Sequence, residues 1–141
     1  MQGEMAKIDP TRLWSLNYRL VSSVITDVGV QIAELDLEVK ELFLLAAMEQ
    51  YPYPAELASE LCIPKPSVTA YLKRLEAAGF VRREIDAADL RRHRLALTAS
   101  GRKVMTQGME LLAHSFGTRL TKLSAAEQNE LRRLFEKMES A

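Results

Sequence analysis

The pattern of residues between Ala55 and Gly101 constrains the fold of this 141-residue chain more than any other feature. It predicts, in order, a short helix over 55–61, a second helix over 66–79, a strand over 80–85, a polar loop, and a strand over 92–97. Two consecutive helices followed by a basic hairpin describe a helix-turn-helix with a β wing. We therefore predict a mainly α fold with a small β-hairpin wing.

The second of these helices has two different faces. Val68, Leu72 and Leu75 recur at helical spacing and predict its buried face, and Gly79 is well placed to end it in the left-handed conformation. The opposite face carries small and basic residues, namely Ser67, Thr69, Ala70, Lys73 and Arg74. Short hydroxyl side chains near a helix start can approach base edges, and the longer cationic ones can reach phosphates. This helix is therefore a candidate for insertion into a major groove.

The charge of the chain is unevenly distributed, although its net value is zero. Residues 1–62 hold 4 Lys and Arg against 10 Asp and Glu, residues 63–109 hold 10 against 4, and residues 110–141 hold 5 of each. The cationic excess thus coincides with the helix and hairpin, as the neutralisation of DNA phosphates requires. The alternative is that the hairpin arginines are simply a solvated face. The adjacent helix favours DNA.

Three short motifs link this segment to a known family. They are Leu75-Glu76-Ala77-Ala78-Gly79-Phe80-Val81, then Asp86 with Asp89-Leu90-Arg91, and then Leu97-Thr98-Ala99-Ser100-Gly101. Together they resemble the winged-helix core of the MarR family of bacterial transcription regulators, and the flanking helices extend the resemblance over nearly the whole chain. The chain departs from the family pattern at Leu90, where a basic residue is usual, and at Pro64, where a capping serine is common.

The resemblance implies roles for individual residues. Arg91 is by resemblance the wing arginine that enters the minor groove, and Asp89 is the carboxylate that orients it. The predicted DNA-binding set is Lys65, Pro66, Ser67, Thr69, Ala70, Lys73, Arg74, Asp89, Arg91 and Arg92. Two copies of the chain would read a pseudo-palindromic operator with half-sites about one helical turn apart. Because the family consists mostly of repressors, a repressor is the expected function.

The residues on either side of this lobe are predicted to form long helices. The first begins at the N-cap signal of Asp9 and carries two apolar rows, where a surface helix needs one. The motif Ser124-Ala125-Ala126-Glu127 is a capping box that starts the last helix. We predict one domain over 1–141, with a winged helix-turn-helix lobe at 36–100 and dimerisation helices at 8–35 and 101–141. The alternative is that the extra apolar surface packs within one subunit.

The resemblance also implies control by a small effector, often aromatic or phenolic, that lies between the dimer helices and the DNA-binding lobe. A ligand that prefers another spacing of the two recognition helices would weaken DNA binding through its differential affinity. The candidate lining residues are Trp14, Tyr18, Phe43, Met48 and Tyr51. Aromatic residues at helical spacing are more often part of a core.

Other functional classes find little support in the sequence. The six glycines form no phosphate-binding loop, and no nucleophile–base pair or carboxylate pair is evident, so we predict neither an enzyme nor a cofactor. His93 and His114 have no partner at metal-ligand spacing. Cys62, in the turn between two helices, is expected to be a buried core thiol rather than a redox sensor.

The expected location and partners follow from the same composition. The single cysteine, the lack of an apolar run near 18 residues and the lack of a basic-then-apolar leader predict a cytoplasmic protein without a membrane partner. The expected partners are double-stranded DNA and a second copy of the chain. A winged helix that binds another protein instead of DNA is the alternative.

Overall fold

Six helices and one antiparallel pair of strands make up residues 7–140, the part of the chain that the computed structural model describes. In chain order they are α1 (Pro10–Glu34), α2 (Val39–Ala47), α3 (Pro54–Leu61), α4 (Lys65–Ala77), β1 (Val81–Ile85), β2 (His93–Leu97), α5 (Ala99–Leu120) and α6 (Ala125–Glu139). The predicted fold, mainly α with a β-hairpin wing, is confirmed. Residues 1–6, where a leader would begin, lie outside the described range.

The chain divides into two units by its internal contacts. A central unit comprises 29–111, and a terminal unit comprises the described residues up to Val28 and from Leu112 onward. Both boundaries fall inside continuous helices, α1 and α5, so each of these helices contributes to both units. The central unit includes the whole of the predicted 36–100 lobe and extends beyond it at both ends.

The central unit has an apolar core that includes side chains of α1, α2, α3, α4, β1 and β2. The fully or nearly fully buried side chains are Ile32, Leu37, Leu42, Leu44, Leu45, Met48, Leu57, Val68, Leu72, Leu75, Phe80, Val81, Leu95 and Leu97. Each such side chain stabilises the fold by roughly 1.5–3 kcal/mol relative to an exposed one. Val68, Leu72 and Leu75 are the three that the sequence assigned to the buried face of α4, so this face fixes the rotation of the helix about its axis.

Cys62 ends α3 in a left-handed conformation, with φ of 53°. Its backbone N–H donates to Ser59 O at 3.4 Å, and that of Ile63 donates to Ala58 O at 3.1 Å. The prediction that Cys62 is a buried core thiol is wrong, because its side chain is exposed. The physical reason is that this residue is the helix cap, a position that glycine usually fills.

The wing is anchored to the end of α4 and the start of α5. Gly79, with φ of 80°, turns the chain out of α4, and β1 then pairs with β2 from Val81↔Leu97 to Ile85↔His93. Thr98 N–H donates to Phe80 O at 3.0 Å, and the Thr98 hydroxyl donates to Gly79 O at 2.6 Å. The same hydroxyl accepts from the N–H of Gly101 at 3.0 Å and so caps α5.

In the terminal unit, a polar cluster joins α1 to α5. Arg119 Nη2 lies 2.8 Å from Asp27 Oδ2, and the buried Ser115 hydroxyl donates to the same oxygen at 3.2 Å. The Arg119 hydrogen bond is the main cause that lowers the pKa of Asp27 below its ordinary value. The predicted capping box of α6 is confirmed, since Ser124 and Glu127 exchange side-chain to backbone bonds at 3.1 and 2.9 Å.

Large apolar side chains remain exposed in the terminal unit. On α1 and α6 they include Leu13, Trp14, Leu16, Tyr18, Val21, Leu134, Phe135 and Met138. Trp14 and Tyr18 lie side by side with ring centroids 6.3 Å apart. None of the helices in the described part of the chain is long and apolar enough to cross a membrane.

Candidate nucleic-acid interface

The outward face of α4 consists of small and cationic residues. Lys65, Pro66, Thr69, Ala70 and Lys73 are exposed, and Ser67 is half-buried. The helix begins directly after Pro64, whose side chain forms no capping hydrogen bond. Pro66 lies in the first turn of α4 and has no backbone N–H that would need a partner. The start of α4 therefore presents short side chains that leave the helix backbone accessible.

Arg74 differs from its neighbour Lys73, although both are exposed basic residues of α4. The Arg74 guanidinium forms bonds to Glu41 on α2, with Nε–Oε2 at 2.5 Å and Nη2–Oε1 at 2.6 Å. It also bonds to Asp36, with Nη1–Oδ1 at 3.2 Å and Nη2 to the carbonyl oxygen at 2.5 Å. The hydrogen bonds to Glu41 are the main cause that raises the pKa of Arg74 above its ordinary value. The guanidinium of Arg74, which was predicted to contact DNA, is thus hydrogen-bonded to other groups of the protein.

The wing tip is shaped by two aspartates that bond to the backbone two residues further on. Asp86 Oδ1 accepts from Ala88 N at 2.8 Å, and Asp89 Oδ1 accepts from Arg91 N at 3.0 Å. The Arg91 side chain is 93% exposed and lies 3.4 Å from Asp89 Oδ1 through its Nε. Arg91 therefore extends from the tip into solvent beside Asp89.

Arg92, also predicted to contact DNA, lies against α3 instead of extending outward. Its guanidinium carbon is 3.7 Å from the centroid of the Tyr53 ring, and Nη2 is 3.8 Å from Glu56 Oε1. The Tyr53 hydroxyl donates to Asp86 Oδ2 at 2.5 Å. This hydrogen bond is the main cause that lowers the pKa of Asp86 and raises that of Tyr53. A stacking contact and a hydrogen bond thus connect the loop end of the wing to the start of α3.

Ion pairs hold most of the arginines between residues 63 and 109. In addition to Arg74 and Arg92, Arg82 pairs with Glu84, Arg83 with Glu76 and Arg102 with Glu49. These arginines are partly exposed, so their positive charge is still felt in the surrounding solvent. Their guanidinium groups are, however, oriented by the carboxylates. Within residues 7–140, Lys65, Lys73, Arg94 and Lys103 form no ion pair, and Arg91 pairs only with its neighbour Asp89.

A cleft lies between the loop end of the wing and the start of α3. It has a volume of about 390 Å³ and is lined by Tyr53, Pro54, Ala55, Arg83, Arg91, Arg92 and His93. An aromatic ring and three guanidinium groups make the lining suited to a small aromatic anion. The sequence did not predict this cleft, because its residues come from three separate segments.

The residues predicted to line an effector pocket are distributed over both units. Trp14 and Tyr18 belong to the terminal unit, whereas Phe43, Met48 and Tyr51 belong to the central unit. Phe43 and Tyr51 are half-buried, and Met48 is fully buried in the core. A side chain without accessible surface can shape a pocket only through the residues that cover it.

Glu41 is the structurally important residue that sequence reasoning missed. Its side chain is fully buried, and besides Arg74 it accepts the backbone N–H of Glu38 at 2.8 Å. The available signal was a charged residue directly before the apolar run 42–45 on a short helix. Within residues 7–140, no group of three or more His, Cys, Asp or Glu side chains is arranged to hold a metal ion.

The fold and this surface define a class of protein, the winged helix-turn-helix proteins. Residues 38–93 match the model of the family described as the MarR family. The HTH-type transcriptional repressor Rv2887 of Mycobacterium tuberculosis H37Rv is 28% identical over 138 residues, which cover 96% of this chain and 99% of that one. Residues 38–93 therefore carry a MarR family domain, and the relative Rv2887, which the chain resembles over nearly its whole length, is a MarR family protein.

Solved structures of family members share the fold. A crystal structure of Rv2887 in complex with p-aminosalicylic acid superposes with a TM-score of 0.74 at 28% identity, over 91% of this chain and 98% of that one. Wild-type MarR from Escherichia coli, in its apo form, superposes with a TM-score of 0.77 at 25% identity, over 95% of this chain and all of the other.

Proposed function

We propose that this chain is a repressor that binds a pseudo-palindromic operator as a homodimer and is released by a small aromatic or phenolic acid. The observation that carries the proposal is the outward face of α4, which combines small polar side chains with lysines and lies in the same unit as a wing with an exposed arginine. Repression then needs no chemistry beyond occupation of a promoter. It also agrees with the name of the relative Rv2887, a transcriptional repressor.

The proposed DNA contacts fall into three groups. Ser67, Thr69 and Ala70, near the start of α4, face base edges in the major groove, and Lys65 and Lys73 neutralise phosphates on either side. Arg91 enters the minor groove next to the wing, oriented by Asp89. Pro66 contributes to DNA binding indirectly, by shaping the start of α4. Arg92 contributes by holding the loop end of the wing against the start of α3.

The proposed dimer uses the exposed apolar side chains of α1 and α6. A monomer gains little from large exposed side chains such as Trp14, Phe135 and Met138, whereas a second copy could bury all of them. Two-fold symmetry would then present two α4 helices to successive major grooves, about 34 Å apart. This arrangement is the reason for proposing a pseudo-palindromic operator.

The proposed effector site is the cleft between the loop end of the wing and the start of α3. Its volume of about 390 Å³ suits a single-ring ligand, and Arg83, Arg91 and Arg92 could pair with a carboxylate. A ligand that holds Arg91 competes with the minor groove for the same guanidinium and therefore lowers DNA affinity. The complex of the relative Rv2887 with p-aminosalicylic acid supports a ligand of this class. A second set of residues, predicted from the sequence to line an effector pocket, is kept as a proposal: Trp14, Tyr18, Phe43, Met48 and Tyr51.

One experiment tests the core of this function. Duplexes with a random central region are selected for binding to the purified chain, and the affinity of the selected sequence is measured at several salt concentrations. We expect a two-fold symmetric consensus and a steep decrease in affinity, with a log–log slope of about −0.9 for each neutralised phosphate. An unstructured pool with a flat salt response would instead favour a protein partner.

A further inference from the structure

Arg74 is bound within the protein more completely than any other cation of α4. Four hydrogen bonds direct its guanidinium toward Glu41 and Asp36, at donor–acceptor distances of 2.5 to 3.2 Å. The neighbouring residue Lys73 is exposed on the outward face of the same helix. Two adjacent basic residues of one helix therefore have different surroundings, although a sequence pattern treats them alike.

The partner carboxylate of Arg74 cannot itself reach DNA. The Glu41 side chain has no exposed surface, and a third hydrogen bond, donated by Glu38 N–H, fixes it at the start of α2. A buried carboxylate is costly unless a cation and further hydrogen bonds compensate it. Arg74 supplies two hydrogen bonds in the forked arrangement that a planar guanidinium can make and an ammonium group cannot.

Asp36 adds a third segment to this cluster. It lies directly after α1, in the left-handed conformation with φ of 62°, and offers both its carboxylate and its backbone carbonyl to Arg74. The guanidinium thus joins α4 to the start of α2 and to the turn between α1 and α2. Each of these segments belongs to the central unit.

We propose that Arg74 is a positioning residue, which fixes the orientation of α4 against the α1–α2 turn through Glu41 and Asp36 and does not contact DNA. The inference rests on the proposed role of α4 in reading the operator. As a consequence, Asp36, Glu41 and Arg74 affect the affinity of the protein for DNA although none of them contacts DNA. The cluster of Asp36, Glu41 and Arg74 acts as a latch on the recognition helix.

The first arm of the test compares DNA binding of the variants Arg74→Lys, Arg74→Met, Glu41→Gln and Lys73→Met on the duplex selected by the parent. We expect both Arg74 variants and Glu41→Gln to bind roughly 2- to 30-fold more weakly, the range found for substitutions in packed networks. Their salt slopes should equal that of the parent. Lys73→Met, the matched control, should reduce the slope by about 0.9 because a phosphate contact is lost.

The contrary outcome has a distinct pattern. If Arg74 binds a phosphate, Arg74→Lys keeps the charge and binds like the parent, and Arg74→Met reduces the slope as Lys73→Met does. Glu41→Gln would then bind as tightly as the parent or more tightly, since it removes a negative charge. Either result would overturn the latch.

The second arm needs no DNA and separates the latch from the proposed function. Amide hydrogen exchange in α4 should be faster in Arg74→Lys and Glu41→Gln than in the parent, and unchanged in Lys73→Met. Equal exchange rates in all four proteins would overturn the latch even if the parent binds DNA. A parent that binds no selected duplex would overturn the proposed function, whereas faster exchange in the two variants would still support the latch.

Discussion

At the scale of single residues, Arg91 is the side chain on which the wing's contribution to DNA binding depends. It is almost fully exposed, and its nearest anion, Asp89, is 3.4 Å away. Arg91→Ala should weaken binding to the selected duplex and reduce the salt slope by about 0.9, as expected for one lost contact with the nucleic acid backbone or groove. Fluorescence anisotropy over a salt series measures both quantities.

The matched control for this variant is Arg94→Ala, which removes another exposed arginine of the hairpin. It should change binding less than Arg91→Ala, because Arg94 lies within β2 and not at the tip. Both variants should keep the molecular mass of the parent in light scattering. Equal affinities of Arg91→Ala and the parent would remove the wing from the proposed interface.

The hydrogen bond from Tyr53 to Asp86 should make the stability of the wing depend on pH. Since this bond lowers the pKa of Asp86 below its ordinary 3.8, it contributes stability at pH values above 3.8. That contribution decreases as the pH falls through the lowered pKa. Tyr53→Phe should therefore unfold at a lower temperature than the parent at neutral pH, and the difference should shrink in acid.

Thermal unfolding from pH 7 to strongly acidic conditions checks this expectation. Tyr71→Phe is the control, because the Tyr71 hydroxyl forms no hydrogen bond within residues 7–140 and its loss should keep the parent's stability at each pH. A difference between Tyr53→Phe and the parent that persists undiminished in acid would show that the hydroxyl acts through something other than the ionised Asp86.

At the scale of elements, the junction between α4, the wing and α5 depends on the absence of a side chain at Gly101. A Cβ atom built there would lie 2.0 Å from the carbonyl oxygen of Phe80, a backbone atom held by the N–H of Thr98. Gly101→Ala should therefore destabilise the protein by roughly 1–3 kcal/mol or more. Denaturant unfolding measures the change.

The control for this substitution lies in the same helix. A Cβ atom at Gly117 meets nothing within 4 Å, so Gly117→Ala should be neutral or stabilise α5 by up to about 1 kcal/mol. Equal destabilisation by both variants would mean that helix propensity or another general effect, and not the contact with Phe80, accounts for the glycine.

The extent to which the sequence predicts this molecule differs between elements. The bounds of α4 and of the wing follow from local signals, because Val68 and Leu72 mark a buried face and Gly79 marks a left-handed turn. The surroundings of Arg74 do not follow, because Glu41 and Asp36 are more than thirty residues away in sequence and periodicity contains no information on such pairs. Composition likewise predicted a buried Cys62, whereas the backbone conformation at a helix cap exposes it.

At the scale of the whole molecule, the exposed apolar residues of α6 should control assembly. Phe135 is 49% exposed and Met138 is 83% exposed, so a carboxylate at either position costs a monomer little and would be buried in a dimer. Phe135→Glu and Met138→Glu should therefore shift light scattering from twice the 15.9 kDa chain mass toward a single chain. Leu90→Glu makes the same chemical change at an exposed position of the wing and should leave the mass unchanged.

The same variants connect assembly to DNA binding. A monomer that retains its α4 and wing can occupy one half-site but loses the second, linked contact, which typically contributes about 10²- to 10⁴-fold in affinity. Phe135→Glu should therefore bind the symmetric duplex only about as tightly as it binds a duplex with one half-site, whereas the parent should distinguish the two strongly. Anisotropy with both duplexes measures this ratio. A monomeric variant that still prefers the symmetric duplex would contradict a mechanism in which α1 and α6 set the spacing of the two recognition helices.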